Sequence, residues 1–328
     1  MARLLMLSSV ILLSAYLTEQ VHFLQPEYIN KLNEEISTWE AGENFPPDTP
    51  IEYLKGLLGS HGVEAAAKGP FKTQDSNYNS LFHIPENFDA RKKWKRCKTI
   101  GMILDQGNCG SCWAMGTSSA FSDRLCIATD GEFNELLSAE ELTFCCFQCG
   151  YGCWGGYPIR AWEYFRTNGL VTGGSYDSQQ GCLPYYVPPY LDEDVPTEMN
   201  HRCVEKCYGN TTIDFKEDHR YTSDAYFLKP DSIQEDVLVY GPVEASFKVY
   251  DDFYNYKSGV YIKSENASFL GGHAVKLIGW GVENETPYWL LVNSWNENWG
   301  DQGTFKIRRG TNECGIDKSM TAGVPVID

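Results

Sequence analysis

The spacing of apolar positions changes along this 328-residue chain, and the changes divide it. Arg3 precedes a mostly apolar run from Leu4 to Leu17, after which Thr18, Glu19 and Gln20 are polar. That layout predicts a cleaved signal peptide over residues 1–18, and the run is too short for the ~18 apolar residues of a membrane helix. No later segment approaches that length, so no membrane span is expected. Residues 19–83 read as a pro-segment. Tyr28–Trp39 is weakly helical, Pro46, Pro47 and Pro50 break it, and Gly56–Gly69 is small and flexible.

From residue 84 the pattern is first helical. Ser111–Thr129 places Trp113, Ala114, Ala120, Phe121, Leu125 and Ile127 near one helix face, and Gly131 stops it. Ser138 to Glu141 has the form of a capping box, and Pro158 opens a helix carrying Trp162 and Phe165 that ends at Gly169. A second capping box, Ser232–Glu235, starts a short helix. The period then becomes that of strands, over Val243–Tyr250, Ala274–Trp280, Tyr288–Val292 and Thr304–Ile307. A helical half (about 84–220) followed by a strand half (about 221–328) predicts an α+β fold of two subdomains with a cleft between them.

Composition alters this picture in two respects. Forty-four acidic against 27 basic residues give a net charge of −17, and that field repels nucleic acid and anionic membranes. The six basic residues between Arg91 and Lys98 therefore read as a solvated face. Twelve cysteines, all between Cys97 and Cys314, indicate an oxidising compartment and at first suggest six disulfides. In that compartment Asn210, Asn266 and Asn284 head glycosylation sequons, the last weakened by Pro287.

The candidate chemistry is nucleophilic. There is no His-Glu-x-x-His, the cluster Cys145, Cys146, Cys149 and Cys153 has no partner pair at zinc spacing, and no Gly-x-Ser-x-Gly elbow occurs. No metal or other cofactor is expected. Cys112, in the run Asp105–Ala114, falls at the N-terminus of the first predicted helix, where the helix dipole and free N–H groups favour a thiolate. His273 starts a strand pattern and Asn293 lies on another, so Asn293 can fix the imidazole tautomer while Trp295 shields that bond. Gln106 supplies a side-chain donor for an oxyanion, beside the Cys112 backbone N–H.

Cys109-Gly110-Ser111-Cys112-Trp113 resembles the nucleophile signature of the papain family of cysteine peptidases. The resemblance runs nearly the whole chain and favours the cathepsin B group, including its insect-type members. It rests on Thr38–Phe45, Tyr53–Lys55, Phe88–Arg91, Cys149–Cys153 with Gly155–Pro158, Tyr256–Tyr261 and Gly279–Asn284. It implies a papain-like fold with a helical left subdomain and an antiparallel, barrel-like right one. It further implies a cysteine peptidase made as a zymogen, monomeric, with peptide and protein substrates. Its own pro-segment and cystatin-type inhibitors are the other implied partners. Delivery would be lysosomal or extracellular, with a digestive lumen as one destination. Gly155, Gly156 and Gly272 would bind substrate along the cleft with Trp295. The implied disulfides are Cys97–Cys126, Cys109–Cys153, Cys145–Cys203, Cys146–Cys149 and Cys182–Cys207, leaving Cys112 and a buried Cys314 free.

The chain also departs from that group. Between Cys182 and Cys203 the loop that closes the primed side is shortened. It lacks the paired histidines that hold a substrate carboxylate, has Tyr190 in place of a cysteine, and carries Asp192, Glu193 and Asp194. Repulsion of a substrate carboxylate predicts endopeptidase action with weak or lost dipeptidyl carboxypeptidase action, His201 being a partial substitute. A catalytically silent peptide binder and a true exopeptidase are the alternatives. Ser319 stands where the group has a glutamate in S2, which predicts an apolar or aromatic P2 residue. Trp154 either crowds S3 or serves as packing.

Overall fold

The computed structural model describes residues 22–63, 70, 83–189 and 201–327. The signal-peptide run, much of the leader's second half, and Tyr190, Asp192, Glu193 and Asp194 lie outside the described residues. The leader contributes α1 (Pro26–Glu35), β1 (Trp39–Ala41) and α2 (Ile51–Gly56). After it come β2 (Phe88–Asp89), α3 (Ala90–Lys93), α4 (Cys112–Ala128), α5 (Ala139–Cys145), α6 (Pro158–Thr167), β3 (Tyr226–Phe227) and α7 (Ile233–Tyr240). The remainder is β4 (Val243–Tyr250), β5 (Tyr256–Tyr261), β6 (Phe269–Glu283), β7 (Thr286–Val292), β8 (Thr304–Arg308) and β9 (Met320–Ala322).

Helix α4 differs from its expected one-sided pattern, because every residue from Cys112 to Cys126 is buried. Its polar face is made of short hydroxyls that bond back to their own helix. Thr117 Oγ1 donates to Trp113 O (2.6 Å), Ser119 Oγ to Met115 O (2.7 Å) and Ser122 Oγ to Ser118 O (2.7 Å). With these three donors satisfied and Asp123 paired with Lys276 (2.8 Å), that face packs between the other helices and the sheet. Arg124, also fully buried, is paired with Asp236 of α7. Its guanidinium also donates to Pro242 O (2.7 Å), Gly323 O (3.0 Å) and the Tyr226 hydroxyl (3.1 Å).

The sheet runs β1-β5-β8-β7-β6-β4-β9-β3, with β2 added against β6. It is an open sheet, not a closed barrel, and its β5–β8 pair is parallel where the rest are antiparallel. One edge is β1 from the leader, which pairs Trp39 with Gly259. The indole of Trp39 donates to Ile262 O (3.0 Å), which explains why the expected Tyr28–Trp39 helix ends at Glu35. Pro26 sets the start of that helix, its ring fixing φ for the first turn.

Ser138 caps α5 by accepting from Glu141 N (2.9 Å). Ser232 does not cap α7. Its hydroxyl donates instead to Lys229 O (2.9 Å), in the turn before the helix. Five disulfides join Cys97–Cys126, Cys109–Cys153, Cys145–Cys203, Cys146–Cys149 and Cys182–Cys207, leaving Cys112 and Cys314 free. Cys314 is half-buried rather than buried. It packs against the margin of the main core from a turn with φ 51°.

Truncating one partner of a buried ion pair leaves the other charge unpaired in a dry site. Asp236→Ala is therefore expected to lower zymogen stability by about 3–5 kcal/mol in denaturant unfolding. A loss under about 1 kcal/mol would show that Arg124 is held well enough by carbonyls alone.

Candidate active site

The site is built where the N-terminus of α4 meets β6. The turn before α4 needs glycine twice. At Gly107 (φ 59°) a Cβ would lie 2.2 Å from Pro188 O, and at Gly110 it would lie 2.5 Å from Cys153 O. The Cys109–Cys153 disulfide fastens this turn to the Gly155–Gly156 strand segment. Cys112 is the first residue of α4 and fully buried. Its sulfur faces the backbone N–H of Ala274 on β6, the residue after His273.

His273 lies inside β6 rather than at its start, and Asn293 falls one residue beyond β7 rather than on a strand. The antiparallel pairing of those strands still brings the two together, with His273 Nε2 2.7 Å from Asn293 Oδ1. Asn293 Oδ1 also accepts from Ser294 N (2.8 Å), which fixes the amide orientation. An amide oxygen only accepts, so Nε2 carries the ring proton and Nδ1 keeps its lone pair. The Trp295 ring lies 4.6 Å from the imidazole, centroid to centroid, and is itself buried.

Gln106 is buried with both ends of its amide engaged. Ser294 Oγ donates to Oε1 (2.7 Å), so Nε2 is the donor end, directed to Cys109 O (2.7 Å) and to Leu57 O of the leader (3.0 Å).

The leader fills the cleft. Gly59 N donates to Cys112 Sγ (3.2 Å) and Ser60 N to Gly272 O (3.0 Å). Gly156 N donates to Gly59 O (2.9 Å) and His61 N to Gly156 O (2.8 Å), a parallel bridge. A Cβ on residue 59 would lie 1.8 Å from Gly110 O, so only glycine passes there. Upstream, Asn44 Nδ2 donates to Tyr254 O (2.9 Å) and Tyr256 O (2.7 Å), and Phe45 packs edge-on against Trp295.

This cover reverses the expected thiolate. Burial pushes the Cys112 thiol up to about 12 and the His273 imidazole down to about 4, so both groups are neutral. The sulfur also meets an amide N–H of the leader, not a carbonyl carbon, so it has no electrophile.

Beside the leader lies a cavity of about 330 Å³ lined by Tyr157, Pro158, Phe227, Ser319, Thr321 and Glu244. Glu244 is a residue that the sequence reading missed. It is fully buried, accepts from Ser246 and Thr321 hydroxyls, and is pushed up to about 8 by burial. The available signal was the alternation on β4, where Glu244, Ser246 and Lys248 share the face opposite Ala245, Phe247 and Val249. Trp154 is 70% exposed, which excludes the packing reading. His201 is paired with buried Glu140 and stacked on Tyr186 at 4.0 Å.

The family described as papain family cysteine protease matches residues 84–324, and the peptidase family C1 propeptide matches residues 24–64. The chain is 49% identical over 316 residues to cathepsin B-like cysteine proteinase 5 of Caenorhabditis elegans, covering 90% of this chain and 89% of that protein. It is 44% identical to cathepsin B-like cysteine proteinase 4 of the same organism, covering 92% and 91%. Among solved structures, procathepsin B S9 from Trypanosoma congolense is 34% identical, with a TM-score of 0.81 over 93% of this chain and 100% of that one. With a family match across both leader and body, and with relatives of this identity and coverage, the chain belongs to the papain family of cysteine proteases, in its cathepsin B-like group.

Proposed function

We propose that this chain is the zymogen of an endopeptidase in which Cys112, His273, Asn293 and Gln106 carry the reaction. Delivery through the secretory route to a lysosome or an extracellular lumen belongs to the same reading, supported by the disulfides and by the leader. The observation that carries it is the leader's occupancy of the Gln106 donor, the Cys112 sulfur and the backbone of Gly156 and Gly272. Leu57 O sits on the Gln106 donor, Gly59 N on Cys112, and the backbone of residues 59–61 on Gly156 and Gly272.

Departure of the leader returns water to the cleft and removes the desolvation that holds both groups neutral. The Cys112 proton then passes to Nδ1 of His273, while Nε2–H stays on Asn293. The thiolate attacks the scissile carbonyl carbon, forming the C–S bond as the carbonyl electrons move to oxygen. Gln106 Nε2 and the Cys112 N–H receive that oxyanion. Collapse breaks the C–N bond, and His273 gives its proton to the leaving amine. Water attacks the thioester with His273 taking a proton, the C–S bond breaks, and the acid leaves.

Endopeptidase rather than exopeptidase action is supported by the state of His201, which is committed to Glu140 and Tyr186 rather than open to a substrate carboxylate. The S2 cavity supports an apolar or aromatic P2 residue at acidic pH. Glu244 has its pKa raised, so it is neutral below about pH 8 and offers an arginine no counter-charge there.

Four measurements test this reading. Alkylation of Cys112 by a thiol-reactive epoxide is expected to be negligible in the zymogen and fast once the leader is removed. Gly59→Ala should raise the zymogen rate at least about tenfold by displacing the leader from Gly110. No labelling of the mature form would overturn the assignment of Cys112. Free-acid peptides and their C-terminal amides should be hydrolysed at similar rates, and a strong free-acid preference would establish an exopeptidase. Cleavage after Phe-Arg should exceed that after Arg-Arg at about pH 5. The gap should narrow as Glu244 ionises toward about pH 8, and the narrowing should vanish in Glu244→Gln.

A further inference from the structure

The loop stem that begins at Cys182 reaches the catalytic turn, with Tyr185 as its hydrogen-bonding contact. Tyr185 is 3% exposed, its ring packed beside the Cys109–Cys153 disulfide, Met115 and Ala139. Its hydroxyl lies 2.9 Å from Gln106 O and 2.6 Å from Ser111 Oγ. A carbonyl only accepts and a phenol has one proton, so Tyr185 donates to Gln106 and Ser111 donates to Tyr185. The next residues press on the same turn, since Val187 and Pro188 bound the space above Gly107. The loop stem is itself anchored. Tyr185 N donates to Gly174 O (2.9 Å), and Tyr186 N donates to the buried Glu140 (3.0 Å).

Gln106 is thus held at three points. Ser294 Oγ fixes its amide oxygen, Ser294 O accepts its backbone N–H (3.0 Å), and Tyr185 holds its carbonyl. The first two come from the strand half of the chain, the third from the loop. We propose that Tyr185 is a positioning residue for the oxyanion donor, so that the loop stem at residues 182–189 sets catalytic rate. Without its hydroxyl the buried Gln106 carbonyl loses its partner and the turn can rotate, carrying Nε2 away from the position where charge develops. The effect belongs to the transition state, because the ground-state carbonyl gains less from that donor.

The inference rests on the assignment of Gln106 as oxyanion donor, and a double-mutant cycle on the matured full-length product separates the two. Tyr185→Phe is expected to lower kcat about tenfold with KM changed less than about twofold. The pH profile of Cys112 alkylation should be unchanged, since the thiol and imidazole are untouched. In a Gln106→Ala background, Tyr185→Phe should lower kcat no further. Tyr208→Phe, which removes a bond from the same stem to Pro184 O, is the control for loop destabilisation and should leave kcat intact. Additive losses, a shifted alkylation profile, or an equal fall in Tyr208→Phe would overturn the role of Tyr185 alone. An unchanged kcat in Gln106→Ala would overturn the oxyanion assignment and this proposal with it.

Discussion

Helix α4 is buried on every side from Cys112 to Cys126, and the remainder of the molecule is arranged around that burial. A helix in the middle of a protein must satisfy every polar side chain it carries without water. Here the short hydroxyls turn back on the helix carbonyls, and Arg124 finds Asp236 and three carbonyls or hydroxyls from the second half of the chain. The reward for this arrangement is position. Cys112 stands at the N-terminal end of a fully buried stretch of helix, facing Ala274 of β6.

The same burial explains how a complete set of chemical groups is kept silent. Cys112, His273, Asn293 and Gln106 already lie together beneath the leader. The leader removes water, and with the water go the conditions under which a thiol loses and an imidazole gains a proton. Specific backbone contacts make the cover tight: Gly59 fits only because it lacks a Cβ, and Asn44 and Trp39 tie the upstream leader to the edge of the sheet. The cover thus combines backbone contacts on the site with burial that disfavours charge on Cys112 and His273.

Much of this was legible in the linear pattern. The helical and strand halves follow from period, and the strands β4, β6, β7 and β8 lie where alternation places them. Where the reading failed, the cause was tertiary. Ser232 found a closer acceptor in the preceding turn than the helix it was expected to cap. Trp39 left a helical pattern because a strand partner and an acceptor for its indole were available 220 residues on. Glu244 was hidden because a charged residue inside a strand reads as solvent-facing, whereas here the carboxyl is buried and bonded by Ser246 and by Thr321 of neighbouring β9.

By itself the sequence determined the chemistry available: a cysteine at a helix N-terminus, a histidine and an asparagine in the strand half, a glutamine six residues before the cysteine, and a cysteine count that a single reactive thiol makes odd. These are local properties, set by residue type and spacing. Only the tertiary structure decided the state of those groups. Whether Cys112 is a thiol or a thiolate, whether Glu244 carries charge, and whether Gln106 points its donor into the cleft depend on what covers each one and what holds its other end. Those are properties of solvation and of contacts between distant segments, and no window of the sequence contains them.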